Sequence, residues 1–122
     1  MAAWHNAADV KLRNPHLAVV ESRKLVDYLL NASHPDNGGK AKFFASLGFG
    51  GGDADRLGVA LQAVASDGEV VASTHSVHGE KHVVEGWLVA HTGMHRRTVR
   101  TVWIIEAGSV APRLVTAYPG RE

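Results

Sequence analysis

The chain contains no cysteine, which excludes disulfide bonds, thiolate metal sites and cysteine nucleophiles. It also lacks an apolar run near the roughly 18 residues that a membrane-spanning helix needs. Neither charge sign is in excess, with 13 basic against 12 acidic residues and a formal charge of +1. No bulk field therefore draws the chain onto nucleic acid or a membrane, and any site for a polyanion has to be local. MAAWHNAADVKLR has no secretory signal pattern, so we expect a cytoplasmic protein without a membrane partner.

The length of 122 residues fits a single domain with one hydrophobic core. We expect this domain to span residues 1–122, with residues 1–20 as an N-terminal arm. Pro15 breaks any early helix, and residues 17–20 are able to add a short edge strand.

Three helices are predicted in the first half of the chain. The first runs from Ser22, a plausible N-cap, to about Leu30, and NASHPDNGG ends it. The second covers about 39–47. The third begins at Asp53 as N-cap and ends at Ser66 to Gly68. Its apolar residues recur at helical spacing, at Leu57, Ala60, Leu61 and Val64.

From Glu69 onward the apolar period changes from helical to alternating. Four strands are predicted, at about 70–77, 82–91, 98–105 and 113–118. The last two should form an antiparallel hairpin at the sheet centre, with Trp103 and Leu114 buried, and Trp87 is also expected in the core. Helices before strands, without βαβ alternation, predict an α+β fold with N-terminal helices packed on a four-stranded antiparallel sheet.

Histidines are concentrated between positions 75 and 95, at His75, His78, His82, His91 and His95. No H-x-H or H-E-x-x-H spacing is present, so we expect no metal site. His82 follows Lys81 near the start of a strand. It is either a general acid or base or a solvated strand-end residue.

The segment HPDNGGKAK carries an unusual charge pattern. Lys40 and Lys42 lie in the first turn of the second predicted helix, where cations oppose the positive end of the macrodipole. Free backbone N–H groups beside two ammonium groups suit a phosphate, and His34 is close enough to bring an imidazole to it. The alternative is two solvated lysines and a turn-opening histidine.

Four blocks carry a family resemblance: KLVDYLLNASHP, GGKAKFFASLGF, HGEKHVVEGWL and TVWIIEAGSVAPRLVTAYP. With its KAxFF and VTAYP blocks, the chain resembles a bacterial family of domains of unknown function. Members of that family look like toxin modules at the ends of polymorphic toxins or beside small partner genes. More distantly, the chain is similar to the barnase-like, colicin-like and RelE-like ribonucleases, in which helices precede a four-stranded antiparallel sheet.

The resemblance implies cleavage of RNA phosphodiester bonds through the ribose 2′-hydroxyl, with neither metal nor cofactor. It also implies RNA as substrate and a possible cognate immunity or antitoxin protein. The implied roles are phosphate stabilisation by Lys40, Lys42 and Lys81, proton transfer by His34 or His82, substrate orientation by Thr116 and Tyr118, and backbone contacts by Arg97 and Arg100. These residues would have to line one concave surface.

A second class of function fits the same residues. The alternative expectation is a non-catalytic protein-binding module, or an inactive nuclease relative within a toxin and partner pair. Near-neutral net charge favours this alternative slightly, because ribonucleases acting on long RNA are often more basic.

Overall fold

The computed structural model describes residues 11–120, and its helices lie where the sequence predicts them. Helix α1 (Ser22–Lys24) runs directly into a π-helical turn (Leu25–Leu29), with Glu21 rather than Ser22 at the N-cap position. Helix α2 (Lys40–Ser46) and helix α3 (Ala54–Asp67) follow. None of the helices in residues 11–120 is long and apolar enough to cross a membrane.

The second half of the described chain is an antiparallel sheet. Its strands are β1 (Glu69–Ser76), β2 (Gly79–Val89), β3 (Arg96–Glu106) and β4 (Arg113–Pro119), in the spatial order β1-β2-β3-β4. Every neighbouring pair is antiparallel. The predicted α+β fold is confirmed. The expectation that the hairpin lies at the sheet centre is wrong for its second strand, because β3 is inside the sheet and β4 is at its edge.

The β3–β4 hairpin provides the centre of the core. Trp103 pairs directly with Leu114, and both side chains are buried, as predicted. The buried polar groups are satisfied, because Trp103 Nε1 donates to Thr101 Oγ1 at 2.7 Å and that hydroxyl donates to the Val84 carbonyl at 2.9 Å. The expectation that Trp87 is buried is wrong, since its side chain is 52% exposed. Leu88 takes the core side of β2, and alternation turns Trp87 to the other face.

The helices pack on one face of the sheet, which we call the inner face. Its residues include Val84, Val99 and Trp103, all buried in one cluster with α3. The opposite, outer face carries the alternate residues of each strand. Because directly paired residues share a face, Glu85, Arg100 and Tyr118 form one row across it.

Residues 11–20 pack more closely than an arm would. Leu12 and Ala18 are buried in the main core. Residues 17–20 contribute a single parallel bridge, between Val19 and Arg113, instead of a full edge strand. The remaining part of the predicted arm, residues 1–10, lies outside the described residues.

Candidate functional site

An open cleft lies between the π-helical turn and the edge strand β4. Its volume is about 640 Å³, in the range of small-ligand pockets. Its walls come from the segments around α1, from the loop before α2 and from β4, and the lining residues are Glu21, Arg23, Lys24, Asp27, Tyr28, His34, Asp36, Val115 and Thr116. Polar and titratable side chains therefore converge on this edge of the sheet.

Tyr28 lies at the centre of this cluster. Its hydroxyl is 3.4 Å from Thr116 Oγ1, and its ring meets the imidazole of His34 edge-on with centroids 5.0 Å apart. The Lys40 ammonium lies 5.5 Å from the centre of the same ring. Three residues singled out in the sequence, His34, Lys40 and Thr116, are thus brought together by a fourth that sequence reasoning missed.

The π-helical turn explains how Tyr28 reaches β4. The Leu30 N–H donates to the Leu25 carbonyl at 2.8 Å, a bond that spans five residues instead of four. Leu25 and Leu29 are buried, while Tyr28 is half-buried and faces the cleft. A tyrosine within the largely apolar run LVDYLL is the only sequence signal for this position.

Asn37 holds the two helical segments of the cleft together. Its side chain is buried, and its amide donates to the carbonyls of Tyr28 at 2.7 Å and Leu29 at 3.1 Å. Its carbonyl oxygen accepts the N–H of Ala41, in the first turn of α2, at 2.9 Å. One side chain therefore fixes the end of the π-helical turn relative to the start of α2, where Lys40 lies.

The environment of Tyr28 changes its acidity. Burial alone would raise the pKa of the phenol, but hydrogen bonding to Thr116 and Lys40 and the Lys40 charge outweigh it. The pKa of Tyr28 is therefore lowered from its ordinary value of 10.0. A phenol of lowered pKa exchanges protons more readily near neutral pH.

His34 is held in one orientation by its own loop. The Asp36 N–H donates to His34 Nδ1 at 3.0 Å, so Nδ1 acts as an acceptor. In the neutral ring the proton then lies on Nε2, which makes His34 a hydrogen-bond donor at that atom.

The other lysine and histidine candidates lie away from this cleft. Lys42 is exposed on α2, and Lys81 is on the outer face, where it lines a separate hollow with Thr74, His78 and Ile104. His82 is on the inner face. It is hydrogen-bonded to Ser73 Oγ at 2.6 Å and to Glu80 at 2.9 Å, and the bond to Glu80, together with Arg13, lowers the pKa of the Glu80 carboxyl.

The outer-face row ends beside the cleft. Arg100 donates to Glu85 at 2.8 Å, and Glu85 and Tyr118 raise the pKa of this guanidinium. Tyr118 follows Thr116 by two residues on the same strand, so the row and the cleft are neighbours. Arg97 is elsewhere, with its guanidinium 5.6 Å from the ring centre of Phe43.

The described part of the chain contains no cluster of metal ligands. Within residues 11–120, no three histidine or carboxylate side chains converge as a metal ion would require. That the whole chain binds no metal stays a prediction.

Comparison with known proteins gives a fold match and a family. No curated protein matches the chain in sequence. A chain of a contact-dependent growth inhibition toxin - immunity protein complex from Klebsiella pneumoniae 342 has a similar fold, with a TM-score of 0.66 and 17% identity. The match covers 88% of this chain and 97% of that one. The family model for the domain of unknown function DUF6883 matches residues 11–121, and the chain therefore belongs to this family.

Proposed function

We propose that the chain is a toxin-like module that cleaves RNA without a metal ion, and that the cleft around Tyr28 is its active site. The observation that carries this proposal is the convergence of Lys40, His34 and Thr116 on a phenol of lowered pKa. A titratable group of perturbed pKa in an open cleft is typical of catalytic sites.

The proposed reaction is an internal transfer at phosphorus. The ribose 2′-oxygen forms a bond to phosphorus while the bond to the 5′-oxygen breaks, which yields a 2′,3′-cyclic phosphate and a 5′-hydroxyl. The 2′-hydroxyl loses a proton to a base, and the 5′-oxygen gains one from an acid. Cationic groups and hydrogen-bond donors stabilise the charge on the phosphoryl oxygens in the transition state.

Each role has a candidate in the cleft. Tyr28, as phenolate, accepts the 2′-hydroxyl proton, and the nearby Lys40 ammonium lowers the cost of that charge. Lys40 gives a proton to the 5′-oxygen. A proton then passes from Tyr28 to Lys40, which restores the phenolate and the ammonium group. His34 Nε2–H donates to a phosphoryl oxygen, and the Thr116 hydroxyl orients the phenol.

Further RNA contacts are proposed outside the cleft. Arg100 and Tyr118 lie on the neighbouring outer-face row, and Lys42 lies on the exposed side of α2. We propose that these groups contact the RNA backbone beyond the scissile bond. Lys81, His82 and Arg97 are left out of the proposed site because other contacts place them apart from Tyr28.

A cognate partner protein forms part of this proposal. The family resemblance to toxin modules supports it, as does the fold shared with a chain of a toxin - immunity protein complex. A module that cleaves cellular RNA needs an inhibitor in the cell that makes it, so we propose an immunity or antitoxin partner.

The test is a cleavage assay with an RNA oligonucleotide, in the presence of a chelator, beside its 2′-deoxy counterpart. We expect fragments ending in a 2′,3′-cyclic phosphate from the RNA alone. Tyr28→Phe and Lys40→Met should each lower the rate about 10²-fold or more, in line with loss of a proton-transfer group. His16→Asn, which changes an exposed histidine on the short helix before α1, is the matched control and should cleave like the wild type.

Two results would overturn the assignment. One is intact RNA after incubation with folded wild-type protein, over a range of RNA substrates that includes transfer and ribosomal RNA. The other is cleavage that survives both Tyr28→Phe and Lys40→Met.

A non-catalytic binding module is the second candidate function. The observation that favours it is the charge of the cleft lining, where the carboxylates of Glu21, Asp27 and Asp36 outnumber the cations of Arg23 and Lys24 and weaken the attraction for a phosphate backbone. In that case the chain would bind its partner protein while leaving every RNA intact.

A further inference from the structure

The edge of β2 is open along part of its length. Strand β1 is paired with β2 only as far as Glu69 opposite Glu85, whereas β2 continues to Val89, which pairs with Arg96 of β3. Residues 86–89 thus have a strand on one side, and within residues 11–120 no strand on the other. An unpaired edge of this kind is a template for an added strand.

The backbone of this edge is directed outwards. The Ala90 N–H donates towards β3, to the His95 carbonyl, and the next N–H, of His91, donates to the Leu47 carbonyl on the opposite side. Peptide groups alternate in direction along a strand, so the N–H and C=O groups of Trp87 and Val89 point away from β3. These four groups are able to form a short ladder with an extended segment.

A groove accompanies the open edge. Two adjoining hollows meet at Val89, and one wall of both comes from α3. Three large apolar side chains border the groove at high exposure: Val59 at 68%, Trp87 at 52% and Val89 at 52%. The Arg96 guanidinium carbon lies over the Trp87 ring, 4.0 Å from the ring centre, which favours a fixed position of the indole on the outer face. Exposed apolar side chains beside a free edge mark a protein-binding surface.

One end of the groove is negatively charged. Glu69 and Glu85 are directly opposite each other on neighbouring strands, an arrangement that destabilises a sheet. Arg100 neutralises Glu85, and Asp67 adds a further carboxylate at the same end of the groove. The Lys11 ammonium is near, but it donates to the backbone carbonyls of Asp67 and Gly68. A cation brought by a partner would be attracted to the carboxylates of Glu69 and Asp67.

We propose that this edge binds a partner protein by strand addition. The partner supplies an extended, apolar segment that pairs with the backbone of Trp87 and Val89, and a lysine or arginine of that segment meets Glu69. Nucleic acid is disfavoured by the carboxylates. A second copy pairing through the same edge brings no cation, because residues 86–89 are Gly, Trp, Leu and Val. The inference stands independently of RNA cleavage.

The probe is a synthetic peptide of alternating valine and threonine that ends in lysine, added at millimolar concentration to the ¹⁵N-labelled chain. We expect shifts of the amide signals of residues 86–89 and slower hydrogen exchange at Trp87 and Val89. Replacing the peptide lysine with glutamate should weaken binding about tenfold.

Variants of the chain separate the edge from a general apolar attraction. Val89→Pro removes an outward N–H without touching the β3 ladder and should abolish binding, whereas Val89→Ile keeps that N–H and should bind like the wild type. If Val89→Pro does not fold, Val59→Lys places a charge in the groove wall and should also abolish binding. Its matched control is Val77→Lys, at a valine 87% exposed in the β1–β2 turn.

Several outcomes would overturn the inference. One is that the peptide shifts amide signals outside residues 86–89, or shifts none at all. Another is that folded Val89→Pro or Val59→Lys protein binds the peptide as the wild type does. Self-association of the wild-type chain through residues 86–89, detected by sedimentation, would assign the edge to a second copy. Displacement of the peptide by RNA would assign it to nucleic acid.

Discussion

Asn37→Ala should be the most informative single change in the chain. The variant removes three hydrogen bonds of a buried side chain, to the carbonyls of Tyr28 and Leu29 and from the N–H of Ala41. At about 1 kcal/mol each, their loss amounts to roughly 3 kcal/mol of unfolding free energy. The Tyr28 carbonyl keeps a partner in the Asn31 N–H, while the Ala41 N–H at the start of α2 loses its side-chain acceptor.

The measurement is chemical and thermal unfolding, followed by circular dichroism. We expect the unfolding free energy to fall by about 3 kcal/mol, and the Tm by roughly 10–15 °C. Asn31→Ala is the matched control, because its side chain makes only exposed bonds, from Nδ2 to the Asp27 carbonyl at 3.3 Å and from the Ser33 N–H to Oδ1 at 3.0 Å, so its loss should cost about 1 kcal/mol or less. A loss below about 1 kcal/mol for Asn37→Ala would refute the role of this side chain as the tie between the two helical segments.

Two further predictions concern acidity and backbone geometry. In Tyr118→Phe protein the one remaining tyrosine, Tyr28, should titrate below 10.0, and Lys40→Met should raise its pKa, as followed by ultraviolet absorbance. Tyr28 loses its proton at a lower pH in the folded state than in the unfolded state. The unfolding free energy relative to Tyr28→Phe should therefore rise with pH from the folded pKa upward, and a difference that does not change with pH would contradict the lowered pKa. Gly79→Ala should destabilise the fold severely, since a Cβ there would overlap the Ile105 carbonyl oxygen at a φ of 132°. Gly93→Ala, with a φ of 75° and open space around it, should cost only about 1–2 kcal/mol in the same unfolding assay.

Local patterns were sufficient to predict the elements. Alternation of apolar residues gave the β3–β4 hairpin and the burial of Trp103, because one face of a strand must be covered. The same alternation cannot say which face the helices cover. Trp87 was therefore assigned to the core, although Leu88 occupies that side.

The candidate site was only partly predictable. Lys40 and His34 were recognised from charge and turn chemistry within one short segment. Tyr28 was missed because its role depends on contacts with Thr116, far away in the sequence, and on a π-helical turn that has no sequence signature. Asn37 was not singled out within NASHPDNGG, since burial of its amide comes from packing between two helical segments.

The simple order of the strands has a consequence for how the protein assembles. Each strand pairs with its neighbour in sequence, so the sheet can form by closing short loops, and each closure costs little conformational entropy. The bridge from Val19 to Arg113 and the contact from Tyr28 to Thr116 close much longer loops. We therefore expect the cleft to form last in folding and to open first in native-state hydrogen exchange, which would let the enclosing segments admit a bulky chain without unfolding the sheet.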